Sequence, residues 1–517
     1  MGKDGMKVFL ICVRDKQFYN LLPEKMNDKM EDSPNVRVMA YPPLGIQTLA
    51  PILRQHGHRV RMFDTCHPKM KTQHILKAVE EQQPDVIAFS LLSSSTYPQT
   101  KNMTKEIKNA APVTPIILGG VFASMNAVEI LKDCKSVDCV GIGEGEELLP
   151  DYLENIGDPG AVPGLTWRNG SEIVSNERRG MAPDLDIFPY PDRSSLPIDY
   201  IEALPLDVPA VLSLNKFCTV QTSRGCPFNC IYCTIPAYSN RRWRLRSAQH
   251  VLGEMQELSD MGYRSVYLVD DHFLIKSDRI RDICNGIIDR GLKFHWGCEG
   301  RVDSKAVDQF ALMGKANCKV LAFGIEAGTQ KILDRLCKKQ TLDQIERAVD
   351  EAKKNGIERI HGFFIIGSPG ETEKDIMQSF RLAARLKIDT FNFDRLRAHR
   401  GTPLWKEYVE SGIIDDERDW YKYFKCSDID ASVLSGEELN RIRMKGYALL
   451  FFRRIFGRPI QSYKLIRSFC RNMVLSDIYR LLSSPFSKKT NFREPRLSEK
   501  WLDAGNKRLI REQLANQ

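Results

Sequence analysis

The 517-residue sequence lacks any apolar run of about 18 residues, the length that a membrane-spanning helix requires. It begins Met-Gly-Lys-Asp-Gly-Met-Lys and passes directly into an apolar segment, so we expect no secretory signal. The 14 cysteines are scattered and form no disulfide framework, and Cys12 and Cys139 lie inside apolar runs. These absences favour a globular protein of the reducing cytoplasm, and the chain length predicts two or three domains.

Charge is distributed unevenly along the chain, whose formal net charge is +9. From residue 440 to the end there are 18 Lys and Arg against 5 Asp and Glu, a net charge of +13, so the preceding residues carry −4. The basic character therefore belongs to the C-terminal region alone. Apolar residues there recur at three-to-four-residue steps, which predicts amphipathic helices.

Three cysteines are closely spaced in Thr222-Ser-Arg-Gly-Cys226-Pro-Phe-Asn-Cys230-Ile-Tyr-Cys233. A 4Fe–4S cluster needs four ligands, usually cysteine thiolates, so three close cysteines leave one iron open to an exogenous molecule. A structural zinc site would require a fourth protein ligand, and no second C-x-x-C or His pair lies nearby. The spacing therefore favours an iron–sulfur cluster over a zinc site or reduced core cysteines.

Residues 1–156 alternate apolar strands with helical stretches, which predicts a doubly wound parallel sheet. The predicted strands are 7–13, 58–64, 85–92, 114–120 and 136–143. No G-x-G-x-x-G motif follows the first strand, which weakens a nicotinamide interpretation. Ligands of such sheets bind at the carboxyl ends of the strands. The candidate loops there are 90–95, 119–121 and 141–145.

A second run of strand–helix alternation extends over residues 217–430, after a Pro- and Gly-rich linker, 157–216, that contains a hairpin signal at Asn169-Gly170. The predicted strands are 219–222, 265–269, 295–299, 320–324, 360–366 and 390–395. Six such units predict a partial (β/α)6 barrel, in which residues at the strand ends face the site. Residues 431–517 are expected to form a basic helical region.

Together, the C-x3-C-x2-C spacing and Tyr232 before its last cysteine resemble the radical S-adenosylmethionine (SAM) family. The three loops of the first domain resemble the cobalamin-binding domain found in one branch of that family. The resemblance implies that Cys226, Cys230 and Cys233 hold the 4Fe–4S cluster and are catalytic. It also implies that SAM and cobalamin are cofactors. The expected SAM contacts are Tyr232, Asp270, Asp271, Glu299, Arg301 and Glu326. The expected cobalamin contacts are Ser90, Ser93, Ser94, Gly119, Gly120, Gly141, Gly143 and Glu144.

One departure from the family concerns cobalt. Members that ligate cobalt through histidine carry Asp-x-His-x-x-Gly, whereas this chain has Asp64-Thr-Cys-His67, one step out of register. We therefore expect His67 to be a solvated loop residue. A cobalt without a protein nitrogen below it would suit alkyl-group transfer.

The function implied by the resemblance is methyl transfer. In this hypothesis a 5′-deoxyadenosyl radical removes a hydrogen atom from the substrate, and methylcobalamin delivers a methyl group to the unactivated carbon. One alternative is an oxidative cyclase or rearrangement enzyme of the anaerobic cyclase type. The other is a non-catalytic cobalamin or redox sensor.

The expected partners are a small-molecule substrate, for which an apolar or lipid-like molecule is one candidate, and an electron donor such as flavodoxin or ferredoxin. The basic C-terminal helices are a candidate for peripheral membrane contact, with helices packed on the barrel as the alternative. We expect no nucleic acid partner.

Overall fold

The first half of the protein is built on a sheet that begins with β1. The computed structural model describes residues 5–14, 20–21, 36–66, 70–201, 216–421 and 432–457. The strands up to residue 201 are β1 (Lys7–Cys12), β2 (Asn20–Leu21), β3 (Val36–Met39), β4 (Arg59–Asp64), β5 (Val86–Ser90), β6 (Ile116–Gly119), β7 (Cys139–Gly141), β8 (Leu165–Asn169), β9 (Glu172–Ser175) and β10 (Ile198–Ile201). Seven of them form one sheet in the order β4-β1-β5-β6-β7-β8-β9.

Helices cover both faces of this sheet. They are α1 (Leu44–Gln55), α2 (Thr72–Gln82), α3 (Tyr97–Ala110), α4 (Val121–Met125), α5 (Ala127–Asp133) and α6 (Gly145–Glu154). In β1, Val8 and Leu10 pack into one buried apolar cluster, whereas Phe9 and Ile11 pack into a second. Alternate side chains of a strand point to opposite faces, so a central parallel strand must be apolar throughout. The predicted doubly wound sheet is confirmed.

The hairpin predicted at Asn169-Gly170 is present as β8 and β9, joined by Gly170 with a φ of +59°. It pairs antiparallel with β7 and extends the first sheet. We had placed this hairpin in the linker. The short strands β3 and β10, which pair with each other although about 160 residues separate them, were not predicted from the sequence.

The second sheet is parallel and its strands are in sequential order. The strands from residue 216 onward are β11 (Phe217–Val220), β12 (Ser223–Arg224), β13 (Arg244–Leu245), β14 (Ser265–Leu268), β15 (His295–Gly300), β16 (Cys318–Glu326), β17 (Arg359–Ile366) and β18 (Thr390–Arg395). The sheet order is β11-β14-β15-β16-β17-β18, while β12 and β13 form a separate antiparallel pair. The predicted six-stranded partial barrel is confirmed.

Along the chain, helices alternate with the strands of the partial barrel. They are α7 (Thr234–Tyr238), α8 (Ala248–Asp260), α9 (Ser277–Asp289), α10 (Phe310–Lys315), α11 (Gln330–Arg335), α12 (Leu342–Lys354), α13 (Glu373–Arg385), α14 (Pro403–Glu410) and α15 (Asp416–Asp419), followed by α16 (Gly436–Gly457). In β16, Leu321, Phe323 and Ile325 belong to the core beneath these helices. The alternate residues, including Gly324 and Glu326, therefore face the inside of the barrel.

The C-terminal helix α16 packs against α13. Phe380 is fully buried, stacks on Phe393 at a centroid distance of 3.8 Å, and lies where a side chain at Gly446 would stand. The helical stretch predicted at 460–482 and His67 lie outside the described residues. Within the described ranges, no helix combines the length and apolarity needed to cross a membrane.

Replacing Phe380 by alanine is expected to lower the free energy of unfolding by about 3–5 kcal/mol, because it leaves a cavity between α13, β18 and α16. Denaturant unfolding followed by tryptophan fluorescence measures this loss. The matched control is Phe451→Ala, since Phe451 is 60% exposed and should change stability by only about 0.5 kcal/mol. Equal effects of the two substitutions would contradict the packing described.

Candidate active site

The three motif cysteines lie on one loop between β11 and α7. Cys230 is buried, whereas Cys226 and Cys233 are half-buried. The backbone N–H of Cys233 donates to the carbonyl oxygen of Cys230 at 3.2 Å, and Cys233 directly precedes α7. Cys233 interacts electrostatically with both other thiols, so the three sulfur atoms are neighbours.

These thiols are suited to a cluster. Burial raises the pKa of Cys226 and raises the pKa of Cys233 to about 12. Cys226 and Cys233 would therefore stay protonated at neutral pH unless a bound metal displaced the protons. No three His, Cys, Asp or Glu side chains in the described part of the chain are placed to hold a single metal ion. A four-iron cluster instead puts each thiolate on a different iron, so the loop fits a cluster and not a lone zinc ion.

Two aspartates after β14 hold the start of the cysteine loop. Asp270 is buried and accepts hydrogen bonds from the backbone N–H and hydroxyl of Thr222, both at 2.5 Å, and from the Ser223 hydroxyl at 2.6 Å. Asp271 accepts the N–H of Gly225 at 2.7 Å. Gly225 has a φ of +84°, and a Cβ there would lie 2.0 Å from the carbonyl oxygen of Arg242. Only glycine fits at this position.

A cavity of about 310 Å³ lies between the first sheet and the cysteine loop. Its first-domain wall includes Ser90, Gly119, Gly120, Gly141, Gly143 and Glu144, all predicted as cobalamin contacts. Its opposite wall includes Gln221, Arg224, Gly225, Tyr238 and Asp271. The glycine loops of the first domain and the cysteine loop of the second therefore face the same space.

Comparison with known proteins agrees with this arrangement. The B12 binding domain model matches residues 35–153, and the radical SAM superfamily model matches residues 220–383. The chain therefore carries a B12 binding domain followed by a radical SAM domain. Its relatives include an uncharacterized methyltransferase of Pyrococcus horikoshii, 28% identical over 80% of this chain and 88% of that protein.

A second relative is the anaerobic magnesium-protoporphyrin IX monomethyl ester cyclase of Cereibacter sphaeroides, 24% identical over 81% of this chain and 67% of that protein. Among solved structures, the radical SAM methyltransferase TsrM from Kitasatospora setae, with cobalamin and a [4Fe-4S] cluster bound, is 17% identical with a TM-score of 0.64. The match covers 78% of each chain. At this identity the likeness establishes the cobalamin-binding radical SAM fold.

Glu326 is the predicted SAM contact with the most unusual backbone. It has a φ of +66°, in the left-handed region that non-glycine residues seldom adopt, and lies at a register irregularity of β16. Its carboxylate accepts from Nζ of Lys338 at 2.7 Å. Burial first and the negative charge of Glu326 next raise the pKa of Tyr232 well above its usual value, and Tyr232 also forms a hydrogen bond with Glu326. Glu326 and Tyr232 are thus held together beside Cys230 and Cys233.

Arg301 lies against the cysteine loop. Its guanidinium stacks on Phe228 at 3.9 Å and donates to Sγ of Cys230 at 3.6 Å. On the other edge of the guanidinium, Nε donates to Oδ1 of Asp303 at 2.9 Å and Nη2 donates to Oδ2 at 2.8 Å. Nη2 also donates to the carbonyl oxygen of Lys338. These contacts favour a role in stabilising the loop and its cluster, and the predicted pairing of Arg301 with the SAM carboxylate stays a prediction.

Glu299 faces Asp271 inside the barrel. Its Oε1 accepts the Tyr267 hydroxyl at 3.2 Å. The pKa of Glu299 is raised to about 7: burial raises it most, the hydrogen bond from Tyr267 lowers it, and the charge of Asp271 raises it. Burial also raises the pKa of Asp271. Two carboxyl groups without a cation between them suit a ligand that brings a positive charge or hydroxyl groups.

The other predicted contacts divide between cavity and structure. Ser93 and Ser94 are outside the cavity wall, because the Ser93 hydroxyl caps the turn that follows β5 by accepting the N–H of Ser95 at 3.2 Å. The carboxylate oxygens of Asp270 already accept hydrogen bonds from Thr222 and Ser223. The predicted cofactor contacts of these residues stay predictions that the geometry does not favour.

Glu144 connects the two domains. Its carboxylate accepts from Nη1 of Arg244 at 2.9 Å and lies 3.4 Å from Arg224. Arg224 also pairs with Glu146 at 2.5 Å, and its Nε donates to Gln221 at 2.9 Å. Arg224 is two residues before Cys226. The first-domain loop that lines the cavity therefore holds the beginning of the cysteine loop by half-buried charge pairs.

Three functional candidates were missed from the predicted contacts: Arg224, Lys338 and His272. His272 is buried with its ring 5.7 Å from that of Phe228, and its Nδ1 has no partner among the described residues. Burial first and Arg301 next lower its pKa to about 3, so the imidazole is neutral. In the sequence, the only indication of a functional role for His272 is its position directly after two aspartates at the end of a strand.

We expect Arg224→Lys to weaken both cofactor sites, because lysine keeps the charge but cannot contact Glu144, Glu146 and Gln221 together. After anaerobic reconstitution, iron content should fall and the Kd for cobalamin should rise about tenfold, corresponding to about 1.4 kcal/mol. The matched control is Arg242→Lys on the same loop, whose side chain is exposed. Wild-type iron content and cobalamin affinity in Arg224→Lys would contradict the coupling.

Proposed function

We propose that this protein is a cobalamin-dependent radical SAM methyltransferase that methylates an unactivated carbon of a small molecule. The observation that carries the proposal is the shared cavity. Gly119, Gly120 and Gly143 on one side, and Gly225 and Asp271 beside the cysteines on the other, enclose one space. Methyl transfer from cobalt at a carbon activated by SAM cleavage requires both cofactor sites to open onto the same substrate.

The 4Fe–4S cluster, SAM and cobalamin are the cofactors of this chain. When bound, they supply one-electron cleavage of SAM, removal of a substrate hydrogen atom, and a methyl group carried by cobalt. Cys226, Cys230 and Cys233 would hold the cluster. Glu326 and Glu299 would bind SAM through hydrogen bonds to its ammonium and hydroxyl groups.

The first-domain wall of the cavity would hold cobalamin. Gly120 has a φ of +102°, and a Cβ there would lie 2.7 Å from the carbonyl oxygen of Leu91. The Ser124 hydroxyl donates to the Gly120 carbonyl at 2.9 Å and accepts the Gly143 N–H at 3.0 Å, which holds the two glycine loops together. Apolar side chains, among them Leu44, Leu92 and Leu148, complete the wall and would exclude water from the reacting groups.

Oxidative cyclisation is the second candidate, and the curated cyclase relative favours keeping it. The same cysteines and glycine loops would serve both reactions, so the products must separate them. A substrate whose mass increases by one CH2 indicates methylation. The sensor interpretation has less support, because Glu299 and Asp271 are carboxyl groups whose pKa burial raises, and a ligand with hydrogen-bond donors would stabilise them.

Gly119→Val should block cobalamin while leaving the cluster intact. A Cβ at Gly119 would meet no atom within 4 Å, so valine would project into the cavity without a clash in the protein. We expect cobalamin affinity to fall about tenfold or more and iron content to stay unchanged. Gly157→Val is the control, because Gly157 also has open space around its Cβ position but is exposed and outside the cavity. Unchanged cobalamin binding in Gly119→Val would place the cofactor elsewhere.

The reaction is tested anaerobically with reconstituted protein, cobalamin, SAM and a reductant, followed by mass spectrometry. We expect 5′-deoxyadenosine and S-adenosylhomocysteine from the wild type, and no 5′-deoxyadenosine from Cys226→Ala, Cys230→Ala or Cys233→Ala. Deoxyadenosine without S-adenosylhomocysteine, in the presence of a substrate that gains no mass, would support the cyclase instead. Retained SAM cleavage in any cysteine variant would overturn the cluster assignment.

A further inference from the structure

A second cavity opens onto the cysteine loop from the other side of α7. It is a groove of about 960 Å³ whose wall includes Cys230, Cys233, Pro236 and Ala237. The cobalamin cavity, in contrast, is lined by Ile235, Tyr238 and Ser239 of the same segment. At 100° per residue these two sets lie on roughly opposite faces of the helix. The cluster thiols are thus reached from outside by a route separate from the cofactor cavity.

Three exposed arginines surround this groove. Arg178 and Arg241 line it, and Arg242 lines a smaller adjoining pocket together with Arg178. We call these three residues the arginine patch. Their side chains make no hydrogen bond or ion pair with any other part of the chain that the structure describes.

The backbone holds the patch in an unusual conformation. Asn240 and Arg241 have φ values of +49° and +56°, which place two successive non-glycine residues in the left-handed region. The turn is fixed to the end of α7, since the N–H of Arg241 donates to Pro236 and the N–H of Arg242 donates to Ser239, at 3.0 and 2.9 Å. Such backbone strain persists where the surrounding structure enforces it, and it is concentrated at functional sites.

The remaining charged residues that line the groove are paired, and Arg400 with its two carboxylate partners leaves one excess negative charge. Arg400 pairs with Glu129 at 2.5 Å and with Asp416 at 2.7 Å, and Lys406 lies 3.6 Å from Glu410. In the adjoining pocket, Arg179 pairs with Asp151 and Glu144 pairs with arginines. Glu147 is the one carboxylate of that pocket without such a partner, and it also lines a neighbouring pocket beside α1. The surface over the cluster loop is therefore net positive.

We propose that the arginine patch and the groove are the docking surface for an acidic one-electron carrier protein that reduces the cluster. One electron leaves the reduced flavin or iron–sulfur group of the carrier and enters the cluster. The carrier is oxidised by one electron, the cluster is reduced by one, and no bond is made or broken. Complementary charge would raise the association rate and make it depend on ionic strength. This inference rests on the proposed function only in requiring a reducible cluster.

The test compares two reductants with the anaerobic, cluster-loaded full chain. Cluster reduction is followed by its visible absorbance in a stopped-flow instrument, with either reduced flavodoxin of strongly negative net charge or dithionite. For Arg178→Glu/Arg241→Glu we expect the flavodoxin rate at low salt to fall about tenfold or more, and the dithionite rate to stay unchanged. For Arg178→Gln/Arg241→Gln we expect the flavodoxin rate to fall by an intermediate amount.

The control variant is Arg347→Glu, an exposed arginine on α12. A flavodoxin rate that is unchanged in the double variant, or that falls equally in Arg347→Glu, would overturn the proposal. A wild-type flavodoxin rate that does not decrease as salt is raised would also overturn it, without any variant. Because these rates are measured before methyl transfer, a lack of methylated product would count against the proposed function and leave the docking surface standing.

Discussion

The ion pairs of Arg224 with Glu144 and Glu146 join the two halves of the molecule at the place where both cofactor sites meet. Arg224 belongs to the short strand before the cysteine loop, and the two glutamates flank the start of α6, which follows a glycine loop of the first domain. Removing one partner from a buried charge pair typically costs about 3–5 kcal/mol, because the other charge is left uncompensated. The width of the cobalamin cavity and the position of Cys226 therefore depend on the same contact.

The second domain shows how strand-end charges are divided between holding the loop and serving the reaction. Asp270 and Arg301 are both surrounded by protein donors or acceptors and fix the cysteine loop from two sides. Burial raises the pKa of Glu299 and of Asp271, and the charge of Arg224 offsets only part of the rise at Asp271. Carboxyl groups that burial destabilises as anions gain most from a ligand that supplies positive charge or hydrogen-bond donors. The hydrogen-bond partners and the pKa shifts of these carboxyl groups therefore distinguish those that stabilise the loop from those suited to a ligand more clearly than their positions in the sequence do.

Much of the fold could be predicted because it depends on local patterns. The strands of both sheets are short apolar runs between helical stretches, and β1 is apolar throughout because Val8 and Phe9 pack on opposite faces of the sheet. The hairpin turn at Asn169-Gly170 was visible for a similar reason, since a glycine with positive φ is needed there. Its addition to the first sheet was not visible, because strand pairing between distant segments leaves no local signal. The four-residue strands β3 and β10 were missed on the same ground.

The sequence by itself determined the chemistry: C-x3-C-x2-C specifies a cluster loop, and glycines after parallel strands specify close approach of a ligand to backbone. These are properties of residue type and spacing, which short segments carry alone. Only the tertiary structure decided how the charged residues are used. Glu144 pairs with Arg244 across a separation of 100 residues, and Glu326 meets Lys338 through a left-handed backbone position. Whether a carboxylate binds a ligand or an arginine depends on which groups the fold brings within about 3 Å of it, and that proximity is absent from a linear pattern.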